Sequence, residues 1–143
     1  MKFQTLLSLL VGLLLAVSEV RAAAPVVITH VAEANKSAVT VRFTEEIRLL
    51  LPVPADSGDG REWQILSNDP RILRLTSSPK LVTAPAKAAE KSNATAAPAG
   101  PHWATSFLAL RPGRSVIRLA FARVGGASGQ TVVEHREITV NVR

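Results

Sequence analysis

The stretch Ser115-Val116-Ile117-Arg118-Leu119-Ala120-Phe121 has an alternation of side chains that indicates the fold class. It alternates with a period of two residues, so that Ile117, Leu119 and Phe121 share one face. That period is typical of a β-strand with one buried face. Just before it, the segment Arg111-Pro112-Gly113-Arg114 has Pro and Gly at the two central positions of a type II turn. We therefore predict a strand that begins directly after a tight turn.

The same alternation recurs along the chain and indicates the fold class. The other short apolar or alternating segments are Ala38 to Phe43, Ile47 to Leu51, Trp63 to Ile65, Ile72 to Leu75, Phe107 to Leu110 and Ile138 to Val142. The first of these places Val39, Val41 and Phe43 on one face. No segment keeps a helical period, and turn-forming residues such as Thr44 to Glu46 separate the apolar segments. Seven or eight such strands predict an all-β fold, an antiparallel β-sandwich.

The composition excludes several classes of protein. The 143 residues allow one domain, and the absence of cysteine excludes disulfide-stabilised, iron–sulfur and zinc-thiolate proteins. The net charge is +6, but only 4% of the residues are aromatic, so stacking on single-stranded nucleic acid is poorly supported. Arg111, Arg114, Arg118 and Arg123 gather around one predicted hairpin, where we interpret them as protection of a sheet edge. We expect no nucleic-acid partner.

The first residues have the organisation of a secretory signal peptide. Met1-Lys2 precedes an uncharged apolar run from Leu6 to Val17, and small residues follow at Ala22 to Ala24. The run has about a dozen residues, fewer than the roughly 20 that a transmembrane helix needs, so we expect no stable membrane anchor. We predict a signal peptide at 1–22 and a folded domain at 25–143. An exported domain without disulfides suits the periplasm or the exterior of a bacterium.

One segment lacks the large apolar residues of a core. Residues 77–101 consist mainly of Ala, Pro, Lys, Ser and Thr, with almost no large apolar side chain after Val82. Such a segment buries too little apolar surface to offset the conformational entropy that ordering removes. We predict a mobile loop at 77–101 between two strands.

No arrangement of residues indicates catalysis or metal binding. His30, His102 and His135 stand apart from other ligand residues, so we interpret them as solvated or strand-surface side chains. The acidic segment Asp56-Ser57-Gly58-Asp59-Gly60 has only part of a calcium-loop pattern, and a connecting loop is the favoured interpretation. No nucleophile-elbow pattern is present. We predict no enzyme activity, no cofactor and no metal.

Three stretches together carry a resemblance to a known family. They are Glu46 to Pro52 followed by Gly60-Arg61-Glu62-Trp63, then Asp69 to Leu75, and finally Phe107 to Phe121 followed by Ile138 to Val142. In these stretches the mature chain resembles the chagasin-like inhibitors of cysteine peptidases. The resemblance implies an immunoglobulin-like β-sandwich that presents three loops at one end as a wedge. It also implies a monomeric inhibitor that blocks the active-site cleft of a papain-like cysteine peptidase.

The resemblance assigns the wedge to three loops of this chain. The matching positions are Asp56, Ser57, Gly58, Asp59 and Gly60 in the first loop, Gly100, Pro101 and His102 in the middle loop, and Arg123, Val124 and Gly125 in the last loop. The first loop keeps only the final glycine of the family's Asn-Pro-Thr-Thr-Gly, and the last loop keeps the arginine of Arg-Pro-Trp without the tryptophan. Trp103 is then either a substitute aromatic anchor or a core residue. The alternative function is a non-inhibitory periplasmic module that binds another exported protein with the same scaffold.

Overall fold

The computed structural model describes residues 23–55, 57, 60–83, 100–123 and 132–143, and the predicted signal peptide at 1–22 lies outside them. Eight strands occur in the described residues. They are β1 (Val27–Val31), β2 (Lys36–Val41), β3 (Glu46–Leu51), β4 (Arg61–Ser67), β5 (Leu73–Val82), β6 (His102–Ala109), β7 (Gly113–Arg123) and β8 (Glu134–Val142). Within these ranges the backbone forms no helix that is long and apolar enough to cross a membrane.

The strands form two four-stranded sheets around one apolar core, which confirms the predicted all-β sandwich. The first sheet has the order β1-β3-β6-β5, and the second has the order β2-β8-β7-β4. After β1 the chain crosses to the second sheet as β2 and returns to the first as β3, so β1 and β3 run in the same direction. β1 with β3 and β2 with β8 are parallel pairs, whereas the other neighbouring strands pair antiparallel as predicted.

The alternation of period two corresponds to one core-facing side on the central strands. The buried residues at the predicted positions are Ile47, Leu49 and Leu51 in β3, Ile117, Leu119 and Phe121 in β7, and Ile138, Val140 and Val142 in β8. The ring centroid of Phe121 lies 5.5 Å from that of Trp63 and 6.5 Å from that of Trp103. Both tryptophans are therefore core residues, and Trp103 is not an aromatic anchor at a loop tip.

Strand β2 ends earlier than its alternation predicts. Val41 is buried, but Phe43, two residues further on, is 51% exposed. The next residue, Thr44, has a φ of 71°, so the chain turns sharply toward β3. Because β3 belongs to the other sheet, this turn carries Phe43 out of the core.

The predicted loop at 77–101 begins too early, because β5 extends through Val82. Val82 pairs with His102 at the start of β6, after register shifts in the middle of the strand. Thr105 Oγ1 donates a hydrogen bond of 2.6 Å to the carbonyl oxygen of Ser77, close to these shifts. Pairing with β6 thus keeps residues 77–82 in the sheet in spite of their polar composition. Of the remainder of the predicted loop, residues 84–99 lie outside the described residues.

The turn around Pro112 does not join a hairpin. β6 belongs to the first sheet and β7 to the second, so this turn connects the two sheets. β7 pairs with both β4 and β8, and the prediction that its arginines protect a sheet edge is therefore wrong. Arg118 instead donates a hydrogen bond of 3.2 Å to Glu137 on the neighbouring strand. Gly113 has a φ of 148°, a backbone conformation that favours glycine at this position.

Candidate functional site

Four connections lie at one end of the sandwich, which we call the loop end. Three of them contain the predicted wedge residues and join β3 to β4, β5 to β6 and β7 to β8, and the fourth joins β1 to β2. In the first sheet β3 ends where β6 begins, since Leu51 pairs with Trp103. In the second sheet β4 begins where β7 ends, since Arg61 pairs with Arg123. Strand register therefore brings the bases of all three loops together.

A hydrogen bond between the two sheets holds the base of the first loop. Trp63 Nε1, on β4, donates to the carbonyl oxygen of Pro52, which directly follows β3, at 3.0 Å. Within the loop, the amide of Ser57 donates to the carbonyl oxygen of Pro54 at 3.1 Å. Gly60 closes the loop with a φ of 68°, which residues with a Cβ adopt only at a cost. The backbone conformation thus explains why a glycine stands at position 60, the one position of the first loop that matches the family's sequence.

His102 forms the base of the middle loop. It was predicted to be a solvated side chain, but it is only 5% exposed at the first position of β6. Its ring Nδ1 lies 3.0 Å from the carbonyl oxygen of Gly100, so Nδ1–H donates this bond. In the sheet, His102 pairs with Val82 of β5. The imidazole therefore fixes how the loop enters β6.

A buried arginine that sequence reasoning missed lies at the same end. Arg136 of β8 is 5% exposed, and its Nε donates to the carbonyl oxygen of Ala32 at 3.1 Å. Its Nη1 donates to Asn35 Oδ1 at 2.6 Å, and its Nη2 forms an ion pair with Glu134. The guanidinium carbon lies 5.7 Å from the centroid of the Trp63 ring. A buried charge requires partners of this kind, because burial removes its hydration.

The sequence carries a signal that could have revealed this arginine. Arg136 alternates in phase with Ile138, Val140 and Val142, all of which are buried. A charged residue at a core-facing position of a strand predicts a buried group with dedicated partners. The identity of those partners does not follow from the alternation, because Ala32 and Asn35 are more than a hundred residues away in the chain.

A groove of about 550 Å³ lies beside the loop end. Its walls include Val31, Leu50, Pro52, Pro54 and His102, and they are mainly apolar. No cluster of three or more His, Cys, Asp or Glu side chains suited to a metal ion occurs within the described ranges. Within the described residues, the groove is thus a mainly apolar surface rather than a cluster of acidic and basic groups.

The second histidine links the edge strands of the two sheets. His30 Nε2 of β1 lies 3.0 Å from Ser37 Oγ of β2. The ring is half-buried rather than solvated as predicted, and this burial lowers its pKa because it disfavours the charged form. His135, by contrast, is exposed on β8 as expected. In the part of the chain that the structure describes, neither histidine belongs to a group of three or more His, Cys, Asp or Glu side chains that could hold a metal ion.

The structure locates only part of the predicted wedge. Six of its residues are described, and all six lie at the loop end: Ser57, Gly60, Gly100, Pro101, His102 and Arg123. Asp56, Gly58, Asp59, Val124 and Gly125 lie outside the described residues. The assignment of these positions to a binding surface stays a prediction.

Similarity to known proteins is found in the fold and not in the sequence. No protein-family model matches the sequence, and no curated protein matches it. Among solved structures, the cysteine protease inhibitor EhICP2 from Entamoeba histolytica aligns with a TM-score of 0.57 and 14% identity, over 83% of this chain and 99% of that one. The solution structure of amebosin aligns with a TM-score of 0.51 and 16% identity, over 81% of this chain and 97% of that one. The chain therefore has the fold of the chagasin-like cysteine protease inhibitors.

Proposed function

We propose that this protein is an exported inhibitor of papain-like cysteine peptidases that blocks the active-site cleft with three loops. The observation that carries the proposal is the common origin of the three loops at one end of the sandwich. The likeness of the fold to a cysteine protease inhibitor supports it. It also favours a binding protein over an enzyme.

The mechanism that we propose is steric exclusion, with no bond made or broken. Residues 56–60 would approach the thiolate–imidazolium pair of the peptidase, and residues 100–102 and 123–125 would flank them. A loop that is already held at its base loses less conformational entropy when it binds. The hydrogen bond from Trp63 to Pro52 supplies such a fixed base for the first loop.

The altered loop tips predict weaker inhibition than a tryptophan-bearing last loop would give. A large aromatic side chain buried at an interface typically contributes about 2 kcal/mol or more, which corresponds to roughly 30-fold in affinity. Trp103 does not replace it, because its ring packs against Phe121 in the core. We therefore expect measurable inhibition at micromolar concentrations.

The test is a titration of papain and of a cathepsin with the mature chain, residues 23–143. We expect inhibition at or below about 10 μM, as the loss of one aromatic anchor allows. Absence of inhibition of both enzymes at that concentration would contradict the proposal. Binding without inhibition would instead favour the alternative, a non-inhibitory module.

Two glycines, one at each end, provide a pair of variants for this titration. Gly60 at the loop end and Gly113 at the opposite end both have positive φ values, 68° and 148°. Replacement by alanine strains both backbones, and at Gly113 the new Cβ would also lie 3.0 Å from Ile72 Cδ1, whereas at Gly60 it meets no atom within 4 Å. Gly113→Ala should therefore cost at least as much stability as Gly60→Ala. We expect Gly60→Ala to weaken inhibition and Gly113→Ala to leave it unchanged. Equal effects would show that inhibition follows overall stability and not the first loop.

Export is a separate part of the proposal, since it rests on residues 1–22 alone. The full chain, expressed in a bacterium, should be recovered from the periplasm or the medium with a new N-terminus at Ala23. Recovery from the cytoplasm with Met1 intact would contradict export and leave the inhibitor proposal standing.

A further inference from the structure

We propose that Arg136 is a positioning residue for the loop end: its guanidinium group sets the arrangement of the β1–β2 connection, residues 32–35, and of the base of the first loop. Its effect on inhibition rests on the proposed function. Its effect on the order of these segments does not.

Arg136 holds the β1–β2 connection through two donors. Arg136 Nε and Nη1 donate to the Ala32 carbonyl oxygen and to Asn35 Oδ1, so the guanidinium spans this connection from one end to the other. The amide of Ala32 donates in turn to the carbonyl oxygen of Leu50 at 2.9 Å, next to the last residue of β3. The amide of Glu137 donates to the carbonyl oxygen of Asn35 at 2.9 Å. The connection is thus held between β3 and β8.

Arg136 also contacts the residue that holds the base of the first loop, Trp63. The guanidinium lies against the Trp63 ring, and a cation in this position is attracted to the face of the ring. The same indole donates its N–H to the carbonyl oxygen of Pro52, where the first loop begins. Arg136 therefore acts on the loop base through the orientation of Trp63.

Arg136 also contacts the first residues of β8. Arg136 pairs with Glu134, the first residue of β8, and Nη1 also donates to the carbonyl oxygen of His135 at 3.0 Å. These contacts orient the strand that follows the last loop. One planar group therefore connects the segments around two of the three loops.

The geometry explains why the residue is an arginine. The guanidinium offers five N–H donors in a rigid plane and an apolar face for the ring, whereas lysine offers a single ammonium group. All the partners of Arg136 described above lie at the loop end. At the other end of β8 the same face carries Val142, which contributes only apolar contact.

The experiment compares backbone hydrogen exchange in mature variants. Arg136→Lys keeps the positive charge but removes the planar set of guanidinium N–H donors. Val142→Ala is the control, since it removes a core contact from the same face of β8 at the opposite end. We expect Arg136→Lys to speed exchange at residues 32–35 and at Leu51, Val53 and Ala55 by about tenfold or more beyond the change in Val142→Ala. Equal or uniform acceleration in the two variants overturns the proposal.

A second variant covers the case in which Arg136→Lys fails to fold. Asn35 is exposed, so Asn35→Ala removes one partner of the guanidinium with little risk to the core. The matched control is Glu33→Ala, in the same connection. We expect faster exchange at residues 32–35 in Asn35→Ala than in Glu33→Ala, and identical exchange in the two variants contradicts the proposal.

Inhibition then separates the two proposals. If the wild-type chain inhibits papain, Arg136→Lys should raise the inhibition constant about tenfold, while Val142→Ala leaves it unchanged. Equal inhibition constants for the two variants overturn the role of Arg136 and leave the inhibitor function intact. If the wild-type chain does not inhibit, the inhibitor function fails, and the exchange comparison alone decides the positioning role.

Discussion

The two ends of the sandwich differ in the side chains that tie their segments together. At the end opposite the loops, backbone bonds such as the one from the Phe43 amide to the Arg143 carbonyl oxygen are supplemented by short polar side chains: Asn68 Nδ2 donates to the Leu73 carbonyl oxygen, and Ser115 Oγ accepts from the Asp69 amide. At the loop end, backbone bonds are supplemented by large buried side chains: those of Trp63, His102 and Arg136 donate to backbone carbonyl oxygens. A large side chain can pack against the core and still reach a carbonyl group of another segment.

We infer that the loop end depends more on large buried side chains than the opposite end does. Substitution of such a side chain removes core packing and a hydrogen bond together, whereas an exposed side chain at the opposite end contributes little of either. We expect the following substitutions to separate the two ends.

The largest effect is expected from Trp63→Ala, which should lower the free energy of unfolding by about 3–5 kcal/mol. Trp63 is fully buried against Phe121 and also holds Pro52, so both packing and the loop base are lost. Urea denaturation measures the change. The control is Phe43→Ala at the opposite end, where an exposed aromatic ring should cost less than about 1 kcal/mol. Similar losses for the two aromatic residues would contradict the contrast.

A smaller effect of opposite sign is expected from Thr44→Gly. Thr44 is β-branched and has a φ of 71°, a conformation that costs about 1–3 kcal/mol in such residues. Because glycine adopts this conformation freely but is more flexible when unfolded, we expect a net gain of about 1 kcal/mol by thermal or urea denaturation. Thr44→Ala keeps a Cβ and should gain less. A destabilised glycine variant would show that the side chain of Thr44 supports the turn.

The smallest effect is a dependence of stability on pH through His30. Burial lowers the pKa of His30 in the folded protein, so the unfolded chain binds a proton more readily. The folded state is therefore favoured above the pKa of the unfolded histidine, about 6.5, and loses stability as the pH falls through the window below it.

Urea denaturation at pH 7.5 and at pH 5.5 checks this. His30→Gln, which can keep a hydrogen bond to Ser37 but does not titrate, should lose less stability on acidification than the wild-type chain. An exposed histidine, His135, provides the control substitution His135→Gln, which should behave like the wild type. Identical pH dependence in all three chains would contradict the role of His30.

The sequence predicted local structure better than it predicted partners. Alternation identified seven of the eight described strands and the buried faces of β3, β7 and β8, because a strand exposes its two faces at a fixed period of two. It missed β1, Val27–Val31. It failed at Phe43 and at Ser77, where the end of a strand depends on pairing. It also treated the turn at Pro112 as part of a hairpin, since a turn pattern says nothing about which sheet follows.

The sequence alone predicted an all-β fold, excluded thiol chemistry, and identified the apolar core-facing side chains of β3, β7 and β8. Only the tertiary structure decided which strands are neighbours, why β1 runs parallel to β3, and which groups surround Arg136 and His102. The physical reason is the range of the interactions. Strand periodicity and turn conformation arise from neighbours in the chain, whereas the bond from Arg136 to Ala32 exists only once both sheets have formed.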